Sequence, residues 1–140
     1  MTKIQEAPIA GKVVDQNDKC TPVWTEYFAS ITQGDVGTGW SPVFTNLTTV
    51  GTPTITGVYY ENQGFTDFYI KIVPGTNTSS VIGSTFVPLP FAVTADTIAG
   101  VVTGQSGGVG VVNAASQTVY TPSWTNVPSP VTISGRVRSV

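Results

Sequence analysis

The chain has 140 residues, of which six are basic and eight acidic, so its formal net charge is -2. This length fits a single domain, since domains commonly hold about 100 to 200 residues. Lys71 is the only basic residue between Thr21 and Gly135, which argues against nucleic-acid binding, because such proteins follow the phosphates with Lys and Arg. The sequence has no His and one Cys, so it lacks the usual general base and the ligands of a structural zinc site.

The low charge is not a sign of disorder. Charged residues make up 10% and hydrophobic residues 40% of the sequence, whereas disordered segments are rich in charge and poor in aromatic and β-branched residues. The first residues have no apolar core of signal-peptide length, and no apolar stretch approaches the roughly 18 residues of a membrane-spanning helix. We therefore expect a folded, soluble protein that is made in a cytoplasm, binds no membrane and carries no cofactor.

Residues 1–33 are predicted to form an attachment segment. Residues 1–20 have the composition of an extended arm that ends in the polar turn 15–19. Thr21 and Pro22 then supply an N-cap and a first helical residue, and an apolar stripe follows at helical spacing, made of Trp24, Tyr27, Phe28 and Ile31. So dense an aromatic stripe needs a partner. It packs under the β module of its own chain or docks on another subunit, and these four residues are the candidate docking residues.

A glycine-rich segment, residues 34–39, is predicted to link this segment to an all-β module of residues 40–140. In the module, β-branched and aromatic residues recur in short runs between turn residues, which predicts strands. The expected strands are 43–50, 54–60, 66–73, 84–89, 91–95, 98–103, 109–113, 117–120 and 131–138. Short strands in this number, without helices between them, favour an antiparallel β-sandwich or jelly roll.

Local patterns add detail to this prediction. Phe68, Ile70 and Ile72 alternate with more polar residues, so they are expected to face the core. Residues 98–120 contain two turn segments, which predicts a meander of three antiparallel strands. Pro88 and Pro90 cannot donate to a β-ladder, which places them at an edge or corner of a sheet.

The acidic residues give little support for an enzyme. The eight carboxylates are scattered singly through the predicted arm, helix and turns, where Asp and Glu commonly serve as turn and cap residues. A pair such as Glu61 and Asp67 would suit a polysaccharide depolymerase, because a glycosidase needs only two carboxylates about 5 to 9.5 Å apart. We expect neither this activity nor a metal site, and we interpret the protein as a non-enzyme.

Aromatic residues of the β module are candidate contacts for a partner or a sugar. Tyr59 and Tyr60 are adjacent, so in a strand they face opposite sides, and one of them must point outward or into a subunit contact. Trp40, Tyr120 and Trp124 lie at predicted strand ends, where a ring either stacks on a sugar or seals a corner of the core. Corner sealing is the favoured interpretation, and the candidates for exposed contacts are Tyr59, Tyr60 and Trp124.

Short motifs spread over nearly the whole chain carry a family resemblance. They are residues 14–19 (VDQNDK), 21–28 (TPVWTEYF), 39–42 (GWSP), 51–54 (GTPT), Tyr59-Tyr60 with Gly64, 89–91 (LPF) and 132–137 (TISGRV). In these motifs the chain resembles small jelly-roll modules of bacteriophage virion proteins, such as capsid decoration proteins, head fibres and tail fibres. The resemblance implies a trimeric, non-enzymatic component whose N-terminal part attaches to the particle and whose β module is displayed.

From the resemblance we expect a capsid decoration, or cement, protein. It would lie at the virion surface as a homotrimer, dock on the major capsid protein or other virion proteins, and stabilise the shell. Fibre proteins often continue into a shaft or a larger tip, whereas this sequence ends after the module, which favours a compact decoration subunit. The alternative is a receptor-binding head or tail fibre module that recognises host-surface polysaccharide through outward aromatic residues.

Overall fold

The structure is a computed structural model that describes residues 37–139. Within these residues every regular element is a β-strand and no helix occurs. The strands are β1 (Thr38–Trp40), β2 (Thr48–Val50), β3 (Thr54–Asn62), β4 (Phe65–Val73), β5 (Asn77–Ser80), β6 (Phe86–Pro88), β7 (Thr97–Thr103), β8 (Ser106–Asn113), β9 (Thr118–Tyr120), β10 (Trp124–Val127) and β11 (Val131–Arg138). The predicted all-β class is confirmed for this part of the chain, whereas the predicted arm and helix, with Trp24, Tyr27, Phe28 and Ile31, lie outside the described residues.

The strands form two antiparallel sheets. The large sheet has eight strands in the order β1-β3-β4-β11-β7-β8-β9-β6, and the small sheet has three in the order β10-β5-β2. Trp124 of β10 belongs to the same buried cluster as Ile70, Val101 and Ile133 of the large sheet. Both sheets therefore contribute to one core, and the architecture is β-sandwich-like.

The centre of the large sheet follows from alternation in the sequence. The three residues of β4 that are predicted to face the core are all buried, namely Phe68, Ile70 and Ile72. Ile133 of β11 lies directly opposite Ile70 and is also fully buried. The chain turns from β3 into β4 through Gln63 and Gly64, whose φ angles are +49° and +87°. Two successive positive φ angles are what a type I′ hairpin requires, so this turn fixes the register of β3 against β4.

The meander predicted over residues 98–120 is confirmed. β7 pairs with β8 and β8 pairs with β9, in both cases antiparallel. β9 then pairs with β6, which is an edge strand of the large sheet and ends at Pro88. Proline is tolerated at this position because an edge strand leaves one side without a ladder partner.

The prediction of a strand over residues 91–95 is wrong, because no strand forms there. Phe91 and Val93 are buried at alternate positions, which is the pattern of a strand, but this backbone is held by a side chain. The Gln117 amide accepts a hydrogen bond from the Val93 N–H at 2.7 Å and donates to the Val93 carbonyl at 2.7 Å and the Ala114 carbonyl at 2.5 Å. One side-chain amide thus takes the place of a strand partner at Val93, while the N–H of the next residue, Thr94, donates to the Arg138 carbonyl of β11 at 2.8 Å.

Three strands of the structure were not predicted, and each has a local sequence that disfavours a strand. β1 follows a glycine-rich run, β5 has the sequence NTSS, and β10 lies between Pro122 and Pro128. The strand predicted over residues 43–50 is shorter in the structure, because only β2 and an isolated bridge between Thr45 and Phe86 form there. Whether these segments form strands depends on their pairing with segments distant in the sequence, and their local propensity does not determine it.

The predicted division into an attachment segment, a linker and a module stays a prediction. Thr38 and Gly39 fall within the predicted linker, 34–39, and both lie in β1. They pair with Tyr59 and Val58 of β3. The last part of the glycine-rich segment therefore belongs to the large sheet.

Candidate interaction surface

The face of the large sheet that is turned away from the core falls into two chemically different halves. The charged residues of the described chain are Glu61, Asp67, Lys71, Asp96, Arg136 and Arg138. All of them except Asp96 lie on β3, β4 and β11. Four of these alternate with buried residues and therefore point outward, namely Asp67, Lys71, Arg136 and Arg138. The strands β6, β7, β8 and β9 carry no charged residue. One half of the outer surface is therefore ionic and the other half is uncharged.

The uncharged half presents an apolar face, which we define as Phe86, Ile98, Val102, Val109, Val111 and Tyr120. Val101 of β7 and Val112 of β8 are buried in the core, so their neighbours along each strand point outward. The register aligns four residues in one row across the sheet, with Ile98 opposite Val111, Val111 opposite Tyr120 and Tyr120 opposite Phe86. The rings at the end of this row are in contact, because the centroids of Phe86 and Tyr120 are 5.2 Å apart.

The aliphatic residues of the apolar face are well exposed. The exposed fractions are 65% for Ile98, 49% for Val102, 56% for Val109 and 51% for Val111. Single exposed apolar residues are normal on proteins, but a contiguous group of them marks a contact surface. Strands that are apolar on both faces are typical of sheets that are covered on both sides. β7 and β8 are apolar on both faces, since one face packs in the core and the other carries the apolar face.

Polar groups border the apolar face. Asp96 is the only charged residue from Ile72 to Gly135, and its carboxylate accepts a hydrogen bond from the Ala114 N–H at 2.7 Å just before β7 begins. Along the other border, β11 places Thr132 opposite Val102. An apolar centre with a polar rim is the usual anatomy of a protein interface.

Glycines make the apolar face uneven. Gly100 lies opposite Val109, and Gly107 lies opposite Val102. Both glycines are exposed. Because glycine has no side chain, each leaves a hollow beside a protruding valine, and the face combines projections with adjoining hollows.

The ionic half contains an ion pair beside an exposed aromatic ring. Arg136 donates to both carboxylate oxygens of Asp67, from Nε to Oδ1 at 2.8 Å and from Nη2 to Oδ2 at 3.1 Å. These hydrogen bonds hold the pKa of Asp67 below its usual value and raise the pKa of Arg136. The guanidinium carbon lies 5.9 Å from the centroid of the Phe65 ring. Phe65 and Arg136 line a recess of about 190 Å³ together with Asn62 and Gln63.

The adjacent tyrosines point to opposite sides of β3, as the alternation predicts. Tyr60 is exposed and lies opposite Asp67 in the ionic half. Tyr59 is half-buried and packs on Trp40 and Phe91, with ring centroids 5.7 Å and 5.1 Å apart. Of these two candidate contact residues, Tyr60 is the one that faces solvent.

Trp124 is not an exposed contact residue, so that prediction is wrong. Only 6% of it is exposed, and its Nε1 donates to Thr78 Oγ1 at 3.1 Å. The pairing of β10 with β5 turns the ring inward. The other candidate docking residues, Trp24, Tyr27, Phe28 and Ile31, lie outside the described residues, so their docking role stays a prediction.

Trp40 seals a corner of the module. Its ring contacts Tyr59 and Phe91 edge-on. It also borders a recess of about 260 Å³, whose other lining residues are Ser41, Pro42, Val43, Pro88, Leu89 and Pro90. Corner sealing, the favoured interpretation from the sequence, describes both Trp40 and Trp124.

The apolar face was not predicted from the sequence, although the sequence carries a signal for it. The segments 98–102 (IAGVV) and 109–112 (VGVV) contain only apolar residues and glycine. In a strand, such a run makes both faces apolar. These two runs therefore predict that their strands are covered on a second face, in addition to the face that packs in the core.

No three His, Cys, Asp or Glu side chains of residues 37–139 converge where they could hold a metal ion. In the same range, no helix has the length and the apolar character that crossing a membrane requires.

No protein-family model matches the chain, and neither the curated proteins nor the solved structures contain a match.

Proposed function

We propose that the protein is a non-enzymatic structural protein of a bacteriophage virion, namely a capsid decoration protein with a jelly-roll module at the particle surface. The observation that carries this proposal is the apolar face, because a single copy leaves four aliphatic side chains in solvent on a surface without charge. Such a surface is typical of a protein that works within an assembly. The motifs that resemble phage virion modules indicate that this assembly is a virion.

The proposed mechanism is thermodynamic. A protein that binds only the assembled shell stabilises that shell by mass action. Contacts that cross a seam between capsid subunits add buried area there. The predicted aromatic stripe, residues 24–31, suits this role, because large aromatic side chains supply much of the binding energy at interfaces. The β modules then lie outward, as neighbouring copies of a homotrimer.

Removal of the aromatic stripe tests the attachment role. We expect the double variant Trp24→Ala, Phe28→Ala to lose association with purified phage shells in a co-sedimentation assay, while its circular dichroism spectrum keeps the β signal. The matched control is Tyr69→Ala, which removes an exposed ring from the ionic half of the module and should leave shell binding unchanged.

Two results would contradict the proposal. A double variant that sediments with shells as fully as the wild-type chain would rule out attachment through residues 24–31. A wild-type chain that neither binds shells nor raises their melting temperature would rule out a decoration role altogether.

A saccharide-binding fibre module is the second candidate function, and the ionic half of the sheet favours it. Tyr60 and Phe65 are exposed there beside the Asp67–Arg136 pair, and the Asn62 and Gln63 amides line the adjoining recess. Aromatic rings provide apolar surface, and amide, guanidinium and carboxylate groups provide the donors and acceptors that hydroxyl groups need.

Titration calorimetry with polysaccharide purified from the host-cell surface tests this candidate. If it is correct, the wild-type chain binds and Phe65→Ala loses most of the affinity, whereas Val73→Ala, an exposed apolar residue at the other end of β4, binds normally. Absence of heat at saturating polysaccharide at two well-separated temperatures would discard it, because a binding enthalpy that is zero at one temperature changes with temperature. Release of reducing ends during the titration would instead indicate a depolymerase.

A further inference from the structure

We infer that the apolar face is occupied by a second copy of this chain. The inference rests on the proposed multi-copy structural role and names a surface through which two copies pair. Because both copies use the same face, the pair has a two-fold axis, so this contact is distinct from the contacts that would hold a homotrimer together. The proposed contact surface lies on β6, β7, β8 and β9.

The electrostatics of the apolar face permit a contact between identical copies. Two copies of a charged surface bring like charges together, which costs several kcal/mol per close pair. The strands of the apolar face carry no charge of either sign, so two copies meet there without this repulsion. A partner that binds through charged groups would have no charged group to contact on this face, because the charged residues of the sheet lie on β3, β4 and β11.

The shape of the apolar face, with its projections and hollows, also fits a second copy. Val102 and Val109 project from the sheet, and each has an exposed glycine, Gly107 or Gly100, as its cross-strand partner. When two such faces pack against each other, the projections of one copy can enter the hollows of the other. Interdigitation of this kind is how packed sheets fill the space between them, and two copies that meet through the same surface patch are related by a two-fold axis.

The size of the face determines how strong the contact is. Strands are spaced about 4.8 Å apart and rise about 3.3 Å per residue, so the four strands together cover about 300 Å². A standard stable interface buries about 800 Å² per partner. The apolar face by itself therefore supports a weak contact. It becomes effective where copies are held close together, since tethering raises their effective concentration.

Concentration-dependent mass measurement of the full chain tests the inference. We expect the average mass of the wild-type chain in sedimentation equilibrium to rise between about 1 µM and about 1 mM, the range of weak association. Val109→Asp and Val111→Lys should each weaken this association at least about 100-fold, because both place like charges in the contact. Their unchanged thermal unfolding would show that the module remains folded.

The matched control is Val81→Asp. Val81 is 55% exposed, compared with 56% for Val109, and lies in the turn after β5, outside the apolar face. This variant should associate as the wild-type chain does. A wild-type mass that stays monomeric up to about 1 mM would overturn the inference, and so would a folded Val109→Asp variant that associates normally.

These results are independent of the shell-binding assay. A chain that associates through the apolar face but ignores phage shells would refute the decoration role and leave the inference standing. A chain that binds shells but shows no effect of Val109→Asp on its own association would refute the inference and leave the decoration role standing.

Discussion

The six-membered ring of Trp40 lies directly on Gly57, its cross-strand partner in β3. A Cβ atom at Gly57 would fall 2.8 Å from Cδ2, Cε2 and Cε3 of the indole, closer than van der Waals contact allows. The absence of a side chain at this position therefore lets the indole pack flat against the strand. From there the ring also reaches Tyr59 and Phe91, and the first strand is fixed to the edge of the large sheet.

Gly57→Ala should destabilise the module by about 1 to 3 kcal/mol, the usual cost of overpacking a fitted site. Elsewhere in a strand the same change stabilises by up to about 1 kcal/mol. Gly39→Ala is the matched control, because a Cβ at Gly39 would lie no closer than 3.8 Å to another group. Urea unfolding gives both free energies, and a Gly57→Ala variant as stable as the control would refute the steric argument.

Gln117→Ala should destabilise the module by about 2 to 3 kcal/mol, since the backbone N–H and carbonyl of the buried residue Val93 lose their partners. The effect should also be local, with faster hydrogen exchange at the Val93 amide. Gln105→Ala, in the exposed turn between β7 and β8, is the control and should change little. Equal protection of Val93 in both variants would show that Gln117 does not hold this segment.

Thr78→Val removes the hydroxyl that accepts the Trp124 Nε1 hydrogen bond and keeps the shape of the side chain. The expected loss of stability is about 1 to 3 kcal/mol, the cost of leaving a buried donor unpaired. Thr49 lies opposite Thr78 in β2 and is exposed, so Thr49→Val should stay within about 0.5 kcal/mol of the wild type. Guanidinium unfolding followed by tryptophan fluorescence compares the two, and equal midpoints would contradict the prediction.

The Asp67–Arg136 pair predicts a specific acid sensitivity. The hydrogen bonds from Arg136 lower the pKa of Asp67 from its ordinary value of 3.8, so the folded state favours the ionised carboxylate. Its contribution to stability is fully present above the unfolded pKa and is lost as the pH falls through the lower pKa of the folded state. The contribution should be small and sensitive to salt, because the pair is exposed.

Melting temperatures of the wild type and Asp67→Asn, measured from neutral pH to about pH 2, check this sign. The wild type should be the more stable at neutral pH, and the difference should vanish in acid. In an Arg136→Gln background, Asp67→Asn should have no such pH-dependent effect. A difference between wild type and variant that grew on acidification would contradict the assignment.

Several parts of the fold could be predicted from the sequence because their signals are local. The alternation of Phe68, Ile70 and Ile72 is a property of consecutive residues, and the structure buries all three. The three-stranded meander was predicted for the same reason, since its strands are consecutive and joined by short turns. The segment 91–95 shows the limit of this reasoning, because its alternation is that of a strand while its backbone partner, Gln117, is distant in sequence.

The sequence by itself determined the all-β class of the described chain, the central strands and the fact that Tyr59 and Tyr60 face opposite sides, because a period of two is encoded by neighbouring residues. The tertiary structure alone decided that Tyr60 is the outward one, that Trp124 is buried, and that the outward valines of β7 and β8 form one apolar face. These features depend on which strands become neighbours. The packing of segments far apart in the chain determines which strands are neighbours, and local composition does not predict that packing.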